Sequence, residues 1–136
     1  MTEAWERAVT RGDLPAVREL LRTGTDVDAR DRYGQTAIML AAHRGHGEVV
    51  QALAEAGADL NVAAKYNLTA LMLAVVAGHA GVARTLVRAG ADLAVRGTGA
   101  PGFAGKTAYD LAVARDMVEL YADLAPADLR PSDPGR

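Results

Sequence analysis

Thr36-Ala37-Ile38-Met39-Leu40-Ala41 and Thr69-Ala70-Leu71-Met72-Leu73-Ala74 are one phrase written twice, 33 residues apart. Gly45-His46 returns at the same spacing as Gly78-His79, and Gly57-Ala58-Asp59-Leu60 as Gly90-Ala91-Asp92-Leu93. One period earlier stand Gly12, Leu20 and Gly24, the last followed by Thr25-Asp26-Val27-Asp28. Independent landmarks on one period mark a repeat array rather than a single folded unit.

Each repeat has a local physical reading. Thr36 is suited to cap a helix, because its hydroxyl can accept a bond from a free backbone N–H. Ile38, Leu40 and Ala41 open an apolar face, and Gly45 supplies the left-handed residue that ends a short helix. A second amphipathic helix carries Val49, Val50 and Leu53, and Gly57 ends it. Ala58-Asp59-Leu60-Asn61 then leads into an extended turn, whose earlier copy holds Asp31-Arg32-Tyr33-Gly34. The spacing predicts helices near residues 36–43, 47–55, 69–76 and 80–88. One such unit cannot bury its own apolar faces, so stability has to come from stacked neighbours.

Composition agrees with a soluble repeat array. The chain has 136 residues, half of them hydrophobic, and only 4% aromatic, so its core is built from small aliphatic side chains. Lys and Arg number 15 against 17 Asp and Glu, a formal charge of −2, which does not suit a strongly basic nucleic-acid binder. There is no Cys, which removes disulfides, thiolate chemistry and cysteine metal sites. No apolar run reaches the roughly 20 residues of a membrane span, and the N-terminus shows no apolar signal segment. A cytoplasmic location is therefore expected, with no membrane partner. Arg outnumbers Lys 13 to 2 and Ala is abundant, a composition of bacterial type.

At Asp31 to His46 and Gly57 to Asn61 the pattern resembles the ankyrin repeat, a helix–turn–helix unit of 33 residues with a Thr-Pro-Leu-His-x-Ala signature. The resemblance covers about residues 1–124. It implies an all-α solenoid of about four units, near 1–30, 31–63, 64–96 and 97–124, followed by a Pro-rich, frayed tail at 125–136. Departures are visible. Ala37, Ala70 and Ala108 replace the usual Pro, and Met39 and Met72 the usual His. Asn67 stands where Gly34 stood, and Asn tolerates positive φ. The first unit starts at its first helix, as an N-terminal cap would. Thr107 comes five residues late, with the extra residues in the 97–104 region. The fourth unit lacks the inter-helix Gly-His pair, as a C-terminal cap that has lost that glycine.

Three features invite a chemical reading. Gly105-Lys106-Thr107 before a helix looks like the end of a phosphate-binding loop, which would make the chain a nucleotide-binding enzyme. That loop needs a buried strand before it, and Asp92 to Arg96 is a repeat turn. Gly105 and Thr107 already answer to Gly34 and Thr36. His43, His46 and His79 lack a third metal ligand, and the resemblance gives His46 and His79 structural hydrogen bonds between units. Asp26, Asp28, Asp31, Asp59 and Asp92 recur at turn positions, where Asp shapes the backbone locally. Trp5 aligns with Ile38 and Leu71, as a core plug. No catalytic residue, cofactor or metal is expected.

The resemblance further implies non-catalytic protein binding, as an adaptor, inhibitor or regulator, through turn tips and the concave groove. The family's contact positions fall on Arg32, Tyr33, Gln35, His43 and Arg44, and then on Lys65, Tyr66, Leu68, Val76 and Ala77. In the fourth unit they fall on Phe103, Lys106 and Arg115, while Arg11 answers to Arg44 in the first. None is acidic, and Arg, Tyr and Phe are favoured at interface centres. Equivalent positions lie side by side in a solenoid, so Tyr33 is expected beside Tyr66 and Arg32 beside Lys65, a cluster suited to an acidic protein segment. A monomer is expected, with a self-assembling structural repeat as the alternative.

Overall fold

A computed structural model describes residues 1–126. The expected tail therefore lies, beyond Pro126, outside the described residues. The helices come in pairs: α1 (Glu3–Arg11) with α2 (Leu14–Arg22), α3 (Ala37–Arg44) with α4 (Gly47–Glu55), and α5 (Ala70–Val76) with α6 (Ala80–Arg88). The last pair is α7 (Ala108–Ala114) and, after one turn of 3-10 helix at Val118–Leu120, the short α8 (Tyr121–Leu124). The first helices α1, α3, α5 and α7 stack in one layer, and α2, α4 and α6 in a second, which the 3-10 turn at Val118–Leu120 and α8 close. Among the described residues there is no strand, only two isolated bridges, Arg30 with Thr36 and Gly97 with Ala104. The all-α solenoid read from the period is what the chain forms.

The 33-residue phrase becomes core because its apolar residues face both the partner helix and the next unit. Ile38, Met39, Leu71, Met72, Leu53 and Leu86 are all 1% exposed or less. Ala41, Ala42 and Ala74 are fully buried, and their small side chains let helices approach closely. Trp5 fills the same role at the N-terminal end, at 0% exposure. Its Nε1 is buried without a partner, a cost of about 1–3 kcal/mol. Burying an indole of about 200 Å2 outweighs that, at about 5 kcal/mol.

Backbone polar groups are satisfied by the repeated Asp and Asn. Asp26, Asp59 and Asp92 each accept through Oδ1 from the N–H two residues on, at 2.9 Å. Asp28 Oδ1 accepts from the Asp59 N–H at 2.9 Å, and Asn61 Oδ1 from the Asp92 N–H at 2.8 Å, so the turns are laddered from unit to unit. Asp31 Oδ1 accepts from both Tyr33 and Gln35 N–H. One expected cap fails. Thr69 and Thr107 accept from Met72 and Asp110 N–H, but Thr36 makes no side-chain cap bond, and its Oγ1 is buried without a partner.

Left-handed glycines end the first helices, and here the units interlock. Gly12 and Gly45 have φ of 69° and 78°. A Cβ on Gly12 would lie 2.6 Å from His46 Nδ1, and one on Gly45 2.7 Å from the His79 ring. The histidine of each following unit fills the space the glycine leaves. His46 Nε2–H donates to the Thr10 carbonyl at 2.9 Å, and His79 Nε2–H to the His43 carbonyl at 3.2 Å. In the fourth pair Asp116, at φ 55°, takes the glycine's place.

A comparison of two glycines separates backbone strain from this interlock. Gly57 also has positive φ, at 87°, but a Cβ there meets open space. Gly57→Ala should cost about 1 kcal/mol for the left-handed conformation alone. Gly45→Ala should cost about 1–3 kcal/mol more, from the clash with His79. Thermal melts of the two variants measure the difference, and equal losses would contradict the interlock.

Candidate functional site

The turn of the second unit and the turn of the third differ in one residue that decides their shape. Asp31 holds the turn Asp31-Arg32-Tyr33-Gly34 through its carboxylate, and Gly34 takes the left-handed position at φ 77°. Tyr33 projects outward, 69% exposed, with the Arg32 guanidinium 5.3 Å from its ring centroid. The counterpart of Asp31 is Ala64, which has no carboxylate. There the backbone turns through two left-handed residues instead, Tyr66 at φ 60° and Asn67 at φ 58°. An aromatic residue in that conformation stores about 1 kcal/mol or more and persists only where its surroundings hold it.

The surroundings are the insertion of the fourth unit. Residues 97–106 fold on themselves: Gly97 N–H donates to the Lys106 carbonyl and Gly105 N–H to the Gly97 carbonyl, both at 2.9 Å. Gly97 is needed for this approach, since a Cβ there would collide with the Phe103 carbonyl oxygen. The loop is tied back to the third unit's turn. Thr98 N–H donates to the Tyr66 carbonyl at 2.8 Å, and Asn67 Nδ2 to the Arg96 carbonyl at 2.9 Å. Tyr66 is half-buried and packs on Phe103 with ring centroids 5.5 Å apart, while Lys65 Nζ sits 4.9 Å from the Tyr66 centroid.

Between the two turns and the helices behind them lies a groove of about 230 Å3. It brings together seven of the sequence-predicted residues: Gln35, His43, Lys65, Tyr66, Leu68, Val76 and Phe103. Arg32, Tyr33 and Arg44 are exposed outside its lining, as are Lys106 and Arg115. The two tyrosines expected as equivalents are not equivalent: one points to solvent and the other forms a wall. Sequence reasoning omitted Met39, Ala64 and Leu73 from the lining. Met39 lies four residues before His43 and Leu73 three before Val76, so helical spacing could have found both.

The Gly105-Lys106-Thr107 segment has its backbone donors engaged. Lys106 N–H donates to the Phe103 carbonyl and Thr107 N–H to Asp110 Oδ2. A carboxylate, that of Asp110, thus occupies the start of α7 in a reciprocal capping box. The hydrogen bond from Arg22 lowers the Glu19 carboxyl, and desolvation, aided by the charges of Asp116, Tyr109 and Glu119, raises the Tyr121 phenol. Among the described residues no group of three or more His, Asp and Glu is placed to hold a metal.

The contrast between the tyrosines is measurable. Tyr33→Ala should change unfolding free energy by no more than about 0.5 kcal/mol, as exposed substitutions do. Tyr66→Ala should cost about 1–2 kcal/mol, through the lost ring pair and loop packing. Urea unfolding of both variants tests this, and a neutral Tyr66→Ala would show that the wall is not packed as described.

Comparison with known proteins agrees with the repeat architecture. The family described as "Ankyrin repeats (3 copies)" matches residues 5–96, two thirds of the chain. A mouse (Mus musculus) protein named "Ankyrin repeat, SAM and basic leucine zipper domain-containing protein 1" is 44% identical over 46 residues, 34% of this chain and 10% of that protein. Its namesakes from Carollia perspicillata and Equus caballus are 48% and 50% identical over 40 residues, 29% of this chain and 8% of each protein. The chain thus spans about a tenth of the length of the curated relatives it matches. The period of 33, the paired helices, the Gly–His junctions and the family match lead to one conclusion: the chain belongs to the ankyrin repeat family.

Proposed function

We propose that the chain is a non-catalytic protein-binding module, an adaptor, inhibitor or regulator, that takes an acidic segment of its partner across the turn tips and first-helix face. Ankyrin repeats are in general protein–protein interaction modules, which supports the class. The single observation that carries the finer reading is the charge around the groove. Lys65 and His43 line it together with neutral and apolar residues, and no carboxylate does. Arg44 directly follows the lining residue His43, Arg32 stands in the turn that leads to Gln35, and both are exposed. A groove whose lining carries cations and no carboxylate, with the nearby Asp31 carboxylate engaged by the Tyr33 and Gln35 N–H groups, is complementary to an acidic ligand. The reading includes four units divided near residues 31, 64 and 97, with the outer two as caps. It also includes a monomeric, cytoplasmic protein of bacterial type, without a cofactor. Among the described residues, no helix is long and apolar enough to cross a membrane.

A random 12-residue peptide library displayed on phage provides the test. Peptides selected on the wild-type protein should be acidic. They should bind the double variant Arg32→Ala, Arg44→Ala at least ~10-fold more weakly, a loss of about 1.4 kcal/mol, while its melting temperature stays within a few degrees. Peptides without net negative charge that bind the double variant as well as the wild type would overturn the proposal. The competing enzyme reading is tested by calorimetric titration with Mg-ATP. No saturable heat is expected, because the N–H groups of Lys106 and Thr107 are already engaged. Micromolar binding that disappears in Lys106→Ala would restore the nucleotide-binding alternative.

A further inference from the structure

The groove has a built end wall that the repeat pattern alone does not supply. Its floor is Met39, Leu68, Leu73 and Val76. Met39 and Leu68 are 1% and 6% exposed, so little of the floor lies open. Tyr66 and Phe103 form the wall, held by the Thr98–Tyr66 and Asn67–Arg96 hydrogen bonds and by the pinch of the loop at Gly97. Phe103 belongs to the insertion, and Tyr66 is held inward by that loop in a turn that lacks the Asp31 carboxylate at Ala64. Both are irregularities of this chain. Strained backbone at Tyr66, retained where a glycine would relax it, is the kind of outlier that clusters at binding sites.

The volume decides what fits. A dry protein cavity of about 150 Å3 accepts a benzene ring, whereas drug-sized ligands occupy about 300–1,000 Å3. At about 230 Å3 the groove holds one large side chain and little else. Its mouth is polar and cationic. Gln35 offers an amide to an extended backbone, and the Lys65 ammonium is held over the Tyr66 ring, 4.9 Å from its centroid. His43, on α3, lines it as well.

We infer that the Tyr66–Phe103 groove is an anchor pocket for a single large apolar side chain, Leu, Met or Phe, carried within an acidic extended segment of the partner protein. This rests on the proposed protein-binding role and narrows it: the cations choose an acidic segment, and the insertion chooses the register in which it lies. The loop at residues 97–106 is then a specificity element, through Phe103.

The same phage-selected 12-residue peptides test the inference. Peptides that compete with one another should share one large apolar residue flanked by acids. Replacing that residue with Ala in the synthetic peptide should weaken binding at least tenfold, and so should Phe103→Ala in the protein. Should Phe103→Ala loosen the loop, the peptide substitution still decides, because it leaves the protein untouched. Peptides that need Arg32 and Arg44 but tolerate both the anchor substitution and Phe103→Ala would overturn the anchor pocket and leave the acidic-segment reading standing. Peptides indifferent to all these changes, or a library without binders, would contradict both.

Discussion

The structure depends on a space left empty in one unit and filled by the next. At Gly12 and Gly45 the chain turns through a left-handed conformation, and the missing Cβ is where the imidazole of His46 or His79 lies. The ring then donates from Nε2 to a carbonyl two residues before the glycine, Thr10 or His43. Because a carbonyl can only accept, this contact also fixes which ring nitrogen carries the proton. Packing and hydrogen bonding thus set the same translation between units, and a slip in register loses both. The aliphatic core is compatible with many small adjustments, whereas this junction is not.

Everything on the first-helix face inherits that translation. It brings Met39 and His43 of one unit opposite Leu73 and Val76 of the next, so that a groove of useful size opens between them. The Asp28–Asp59 and Asn61–Asp92 hydrogen bonds repeat the same step along the turns. At the last junction the pattern changes. Asp116 and Met117 replace the Gly-His pair, and Arg84 instead donates to the Glu119 carbonyl at 3.0 Å and faces Asp123 at 3.6 Å. The fourth unit is therefore held differently, and its insertion is free to reach back over the third unit's turn.

How much of this was legible in the sequence follows from how local the causes are. Helix ends were legible, because Gly45, Gly57, Gly78 and Gly90 act on their own backbone; α4 and α6 run over the expected 47–55 and 80–88. The buried Trp5 was legible from its alignment with Ile38 and Leu71. Thr36 does stand at the N-cap of α3, but its environment leaves its hydroxyl without a partner, while the identical Thr69 bonds through its side chain. The pairing of Tyr33 with Tyr66 was misread for a tertiary reason. Exchange of Asp31 for Ala64 removes a turn carboxylate, but only the returning loop, through Thr98 and Phe103, decides where the freed tyrosine goes. Seven of the expected contact residues line one groove because repeat position fixes the face. Which of them form floor, wall or mouth depended on the insertion, whose path has no precedent in the period.

The interlock is tested most directly by a double-mutant cycle between Gly45 and His79. Gly45→Ala introduces a methyl group into the space of the ring, and His79→Ala removes the ring and its hydrogen bond. If the two share that space, the double variant regains the room that Gly45→Ala lacked. Its loss of unfolding free energy should then fall short of the summed single losses by about 1 kcal/mol or more, beyond the roughly 0.5 kcal/mol within which independent sites add. Strict additivity would contradict the account, because the glycine and the histidine would then be stabilising their units separately.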